Sequence, residues 1–199
     1  MNYENCVIIL AAGHSKRMGV CKFLLPMSNG ISLIENIYQT YVDFEINQII
    51  LVTQGKYVDK LKEIFNKYDI ETKYVINENP DYERFYSLQI GLKVASFNDY
   101  CFIQNADEPF IDKFTLQLIY ENREKGDFVS PIYKNKGGHP ILINKKTINE
   151  LLACNLTSNL KNELLGKNRY NILVKNDLTA IDIDTPEDYR KQITNMITY

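Results

Sequence analysis

The chain has 199 residues, 45% apolar and 24% charged, with a formal net charge of −2. That length suffices for one compact domain with its own core, and the charge excludes broad, charge-driven binding to nucleic acid. No apolar run approaches the roughly 20 residues that span a bilayer, and "MNYENCVIILAAG" has no basic segment ahead of its apolar run, so a cytoplasmic protein without a signal peptide is expected.

In chain order, "CVIIL" (Cys6 to Leu10) is a continuous apolar run of the kind a parallel strand shows when both faces are covered. Leu33, Ile34, Ile37, Tyr38, Tyr41 and Val42 then recur at helical spacing. "QIILVT" is a second buried strand, "KYVDKLKEIFNKY" a helix with Val58, Leu61, Ile64 and Phe65 on one face, and "TKYVI" a third strand. A helix from near Glu83, the strand "YCFIQ" and a helix from Asp112 to Lys125 follow. This β-α alternation predicts right-handed crossovers and a mainly parallel sheet between helical layers. Further on, "FVSPIY" and "HPILIN" read as strands flanking the turn "KNKGG", with short helices over Thr147 to Cys154 and Thr157 to Leu165. "YNILV" and "LTAIDID" supply more strand material. The last helix starts with Thr185 as N-cap, Pro186 at its first position and Asp188 three residues after the cap. With no repeat, linker or low-complexity tract, residues 1–199 read as one domain. Cys6, Cys21, Cys101 and Cys154 show no CxxC pair or metal-ligand spacing and read as free thiols. Cys21 alone sits among cations that would lower its pKa.

Ligands of open α/β sheets sit at the carboxyl ends of the strands. The first strand ends in Ala11-Ala12-Gly13, where small side chains admit a ligand close to the backbone and Gly13 offers unusual backbone angles. Lys16, Arg17 and Lys22 follow. The Walker A pattern fails, because Gly13 and Gly19 enclose five residues and Val20 stands where Lys is required. The dinucleotide fingerprint fails too, since His14 and Ser15 follow Gly13. What remains is either a solvated basic loop or a third kind of phosphate site, with Arg17 and Lys22 spaced along a triphosphate. Each such contact carries a Coulomb attraction of about 4 kcal/mol at 4 Å and an effective dielectric near 20, before desolvation. Lys16 reads as solvated, and His14 has no assigned part.

"LAAGHSKRMGVCKFLLP" resembles the LAAGxSxRMGxxKxLLP signature of the molybdenum-cofactor cytidylyltransferases and related MobA-like nucleotidyltransferases. The resemblance implies a three-layer α/β/α Rossmann-like nucleotidyltransferase fold with a mainly parallel, mixed sheet. It implies that Leu10, Ala11, Ala12 and Gly13 contact the nucleotide, and that Arg17 and Lys22 hold its triphosphate and act in catalysis. Guanylyl-transferring relatives more often have Leu-Ala-Gly-Gly here, so Ala12 points to CTP. "NPDYERFYSLQIGL" is similar to the family element beside the nucleotide and places Asn79 and Ser87 there. Arg84 and Ser87 also resemble the RxxS element of the methylerythritol-phosphate cytidylyltransferases. Phe85-Tyr86 replaces the glycine usual before that serine, and a helix-start hydroxyl is the alternative for Ser87.

"QNADEPF" resembles the family's Gly-Asp-Gln-Pro, which makes Asp107 a Mg²⁺ ligand and catalytic residue, with Ala106 and Glu108 as departures. The alternative is a turn cap. "KGGHPILI" resembles the Gly-His-Pro segment and makes His139 an acceptor-binding candidate, with a packing histidine as the alternative. "AIDIDTPEDY" resembles the last family motif. Residues two apart in a strand face one side, so Asp182 and Asp184 are expected to face Asp107 and complete an oxygen-rich Mg²⁺ site. The implied reaction is attack of a phosphorylated acceptor, molybdopterin, on the α-phosphorus of CTP. A phosphate monoester is largely dianionic at neutral pH and needs no general base, which suits a chain with two histidines. Other phosphorylated acceptors (a sugar phosphate, phosphocholine), GTP, a nucleotide-sugar glycosyltransferase and a silent nucleotide-binding module remain alternatives. Oligomeric state leaves no trace in the sequence.

Overall fold

The computed structural model describes residues 3–14, 17–79, 81–82, 84–95, 99–176 and 178–196. Lys16, and Glu83 at the expected start of the third helix, lie outside the described residues. Strand β1 (Tyr3–Ala11) is central. It pairs in parallel with β2 (Ile46–Thr53) on one side and β4 (Tyr100–Asn105) on the other, and β2 pairs in parallel with β3 (Glu71–Ile76). Beyond β4 the sheet becomes mixed. There β7 (Ile141–Asn144) runs antiparallel to both β4 and β5 (Phe128–Tyr133). Strand β5 also pairs with the two-residue β6 (Lys136–Gly137) and, in parallel, with β8 (Arg169–Leu173).

The apolar run of β1 is divided by the pleat between two cores. Val7, Ile9 and Ala11 enter one, while Cys6, Ile8, Leu10 and Ala12 enter the other. The first core is closed by α1 (Leu33–Asp43), α2 (Val58–Phe65) and α4 (Lys113–Glu121). The second is closed by α3 (Arg84–Ala95) and α5 (Lys145–Ala153). Ser32 caps α1 by accepting from the Glu35 amide, and Asp112 caps α4 by accepting from Thr115. Asp112 is thus the cap rather than the first turn, and Arg123–Lys125 forms a separate 3-10 turn. Helix α6 (Leu160–Glu163) is shorter than its apolar pattern suggests.

Helix α7 (Pro186–Met196) begins as the sequence predicts, with Asp188 and Thr185 bonded reciprocally at 2.8 and 3.1 Å. Two expectations fail. Residues 181–184 form no strand, and 178–180 is a 3-10 turn; His139 and Pro140 precede β7 rather than entering it. The Ile183 amide instead donates to the Asp107 carbonyl at 2.9 Å, and the His139 amide to that of Thr179 at 2.9 Å. No helix among the described residues is long and apolar enough to cross a membrane.

After β3, on one side of β1, the chain crosses to β4 on the other. The two strands end level, with Leu10 opposite Asn105 and the Ala106 amide donating to the Leu10 carbonyl at 3.1 Å. The sheet order thus opens a crevice between two carboxyl strand ends.

Candidate active site

The loop leaving β1 is basic and the loop leaving β4 is acidic. Leu10, Ala11 and Ala12 are buried, their side chains committed to the two cores. Thr53 Oγ1 and Gln54 Nε2 donate to the Ala11 and Ala12 carbonyls at 3.3 and 2.9 Å, which holds those carbonyls on the β2 side of the turn. Gly13 does not use the left-handed region; in this loop Gly19 does, at φ +69°. A Cβ on Gly13 would meet nothing within 4 Å, so its smoothness keeps the cavity wall open rather than permitting a turn.

Lys22 opens the 3-10 turn Lys22–Leu24 and reaches two carboxylates, Asp107 Oδ2 at 2.7 Å and Asp184 Oδ1 at 2.9 Å. Burial opposes the ammonium charge, but Asp107 and Asp184 outweigh it and hold the Lys22 pKa above its ordinary value. Arg17, largely exposed, meets Asp184 Oδ2 at 3.0 Å, and Arg84, first in α3, meets Asp107 Oδ2 at 3.2 Å. The bond from Lys22 keeps the Asp184 carboxyl below its ordinary pKa.

Asp107, Glu108 and Asp182 each offer a carboxylate oxygen within 4.8 Å of the others. Asp107 and Glu108 are buried, whereas Asp182 is exposed on one side. Partial desolvation, followed by the charges of Glu108, Asp107 and Asp184, pushes the Asp182 carboxyl up to about 6. Three crowded carboxylates, offering oxygen alone, fit a hard divalent cation. Glu108 also turns Oε1 to His139 Nδ1 at 2.7 Å and accepts from the Asn105 amide.

A cavity of about 510 Å³ is lined by Leu10, Ala11, Ala12, Gly13, Arg17, Lys22, Ser87, Asp107 and Asp184. The sequence-predicted nucleotide residues are therefore brought together, except Asn79. Asn79 instead donates its side-chain amide to the Tyr86 hydroxyl at 3.3 Å and its backbone amide to Asn77 Oδ1 at 2.8 Å. Ser87 lies within α3, its hydroxyl accepting from Asn77 at 2.9 Å. Phe85 fills the second core and Tyr86 packs edge-on against Tyr82 at 5.2 Å, so the helix needs no glycine here.

Asp182 and Asp184 diverge, Asp182 toward Asp107 and Glu108, Asp184 toward Lys22 and Arg17. His139 lines a second cavity, of about 870 Å³, which shares Leu10 and Arg84 with the first. Sequence reasoning missed the Arg84–Asp107 pair, the Glu108–His139 pair and the His14–Asp81 contact of 3.2 Å at the nucleotide cavity. Arg84 and Glu108 stand inside recognisable motifs, but no local pattern marks His14 and Asp81.

Residues 7–170 match the family described as the MobA-like NTP transferase domain. The chain is 28% identical over 183 residues to the molybdenum cofactor cytidylyltransferase of Escherichia coli, covering 92% of each. It is 24% identical over 125 residues to a probable molybdenum cofactor guanylyltransferase of Methanosarcina acetivorans, covering 62% of this chain and 55% of the other. The fold resembles that of a 4-diphosphocytidyl-2C-methyl-D-erythritol synthase from Anaerococcus prevotii, with TM-score 0.80, 20% identity and coverage of 98% and 97%.

Proposed function

The chain belongs to the MobA-like NTP transferase family, and from that premise we propose that it transfers CMP from CTP to the phosphate of molybdopterin, releasing pyrophosphate. The observation that carries this reading is the meeting of a basic loop and an acidic cluster in one crevice between β1 and β4. A dianionic acceptor phosphate attacks the α-phosphorus, a new P–O bond forms, and the bond to the β-phosphate breaks with its electron pair leaving on pyrophosphate. Arg17 and Lys22 hold the triphosphate, with Lys22 turning from its carboxylates to the incoming phosphates. Leu10 to Gly13 and Ser87 form the nucleotide wall, and His139 faces the acceptor. Asp107, Glu108 and Asp182 would hold Mg²⁺, and Asp184, now bonded to Lys22, would be available as a further oxygen ligand. When bound, the ion supplies charge neutralisation on the phosphate oxygens.

CTP is supported by the cytidylyltransferase relative and by Ala12. The Ala12 methyl is packed in the second core, so its influence on the base would act through the backbone path. We take residues 1–199 as one domain working in the cytoplasm.

The test is pyrophosphate release from each of four NTPs with Mg²⁺ and a panel of phosphorylated acceptors that includes molybdopterin. CTP with molybdopterin should be fastest. GTP surpassing CTP would overturn the base assignment, another acceptor surpassing molybdopterin the acceptor, and no pyrophosphate from any pair the reaction class. Lys22→Ala and Asp107→Ala should each lower turnover by roughly 10²–10³ while the far-UV spectrum is kept; wild-type rates in both would refute their roles.

A further inference from the structure

The second cavity is unlike the first in charge. Five cations, Arg84, Lys136, Lys161, Lys167 and Arg169, line it, and no aspartate or glutamate is among its described lining residues. In a chain whose net charge is −2 this is a local excess of one sign. Three of the five are already engaged: Arg84 with Asp107, Lys136 with the Ala180 carbonyl at 2.7 Å, and Lys167 with Glu150. Arg169 differs. Its Nε donates to the buried Ser130 hydroxyl at 3.0 Å, and its guanidinium carbon lies 6.0 Å from the Phe128 ring centroid. A Cβ on Gly137 would stand 2.7 Å from Nη2, so glycine there is what lets the group lie flat against β6. Nη1 and Nη2 bond no acceptor among the described residues, and no described carboxylate pairs with the group. A guanidinium fixed at one nitrogen, with its two-pronged edge unbonded, suits a planar anion. The apolar side chains of Phe85, Leu88 and Leu160 complete the wall.

Resting on the nucleotidyl-transfer reading, we propose that the acceptor carries a second anionic group besides its attacking phosphate, and that Arg169 is the specificity-determining residue that binds it. The attacking phosphate belongs at Arg84, which lines both cavities, and the second anion toward β6 and β8. A cationic tail such as that of phosphocholine would meet Arg169, Lys136 and Lys161 with no carboxylate among the described lining residues, and should be disfavoured as a substrate group.

The test uses the whole chain and two series of phosphate monoesters of graded length, ω-carboxyalkyl phosphates and n-alkyl phosphates, titrated calorimetrically. At the best length the carboxylate should bind about tenfold tighter than its methyl counterpart. Arg169→Gln should abolish that advantage and Arg169→Lys should keep part of it. Gly137→Ala, which pushes the guanidinium aside, should weaken it and serves if Arg169→Gln fails to fold. A carboxylate that binds no better at any length, or an advantage unchanged in both Arg169→Gln and Gly137→Ala, would overturn the proposal. CTP titration is a separate arm: loss of CTP binding in the wild type refutes the nucleotidyl-transfer reading, whereas the carboxylate advantage bears on Arg169 alone.

Discussion

Asp182 keeps its proton to about pH 6 because burial partly desolvates it and the charges of Glu108, Asp107 and Asp184 oppose its own. A cation entering the cluster must displace that proton, so apparent metal affinity should fall about tenfold per pH unit below 6 and level off above about 7. The sign for stability follows from the same shift. The raised pKa favours folding most when the group is protonated, fully below about pH 4, and that contribution is lost as pH rises through 6. Thermal melts of metal-free protein should therefore decline across that window, and saturating Mg²⁺ should remove the decline. Glu108→Gln should weaken Mg²⁺ binding more than Asp184→Asn, as calorimetry would show; the reverse order would return Asp184 to the primary set. At this scale the sequence told which residues would meet where they stand in motifs, as Lys22 and Asp107 do. Arg169 and the pairing of Glu108 with His139 were not legible, because their partners lie tens of residues away in the chain and meet only in the folded sheet.

The elements were legible wherever one hydrophobic period prevailed, and the misreading at 181–184 has a definite cause. Ile181, Asp182, Ile183 and Asp184 alternate like a strand, yet β1 already pairs with β2 and β4, and β4 with β7. The alternation survives without a ladder, since Ile183 packs with Met27, Leu33 and Phe110, and Ile181 packs against that cluster. Helix α3 depends on close approach. A Cβ on Gly91 would stand 2.9 Å from Ile8 Cγ2 and 3.0 Å from Val52 Cγ2, both in the packed core. Gly91→Ala should cost about 1–2 kcal/mol in denaturant unfolding, overpacking exceeding the helix-propensity gain. At the start of α7, Thr185→Ala should cost about 1 kcal/mol by losing the cap. Bonds from Thr185 and the Asp184 amide hold the Asp188 carboxyl below its ordinary pKa. Its support for the fold is therefore present at neutral pH and fades as pH falls below about 4.

Across the whole molecule, one backbone bond, from Ile183 to Asp107, anchors the last motif to the end of β4, while Gly138 presses the loop before β7 against Thr179. A Cβ on Gly138 would overlap the Thr179 carbonyl at 2.0 Å, so Gly138→Ala should shift His139 and Asp182 together and lower acceptor turnover more than CTP binding. The Glu108–His139 contact reaches further. One carboxylate belongs to the acidic cluster and also holds a ring in the second cavity. An acceptor that drew on His139 would alter the electron density Glu108 could offer a cation, and thermodynamic reciprocity would then require the cation to alter acceptor affinity by the same factor. Titrating each in the presence and absence of the other should return equal factors, and His139→Ala should bring both toward one. Such an enzyme would sense a filled acceptor cavity through its metal.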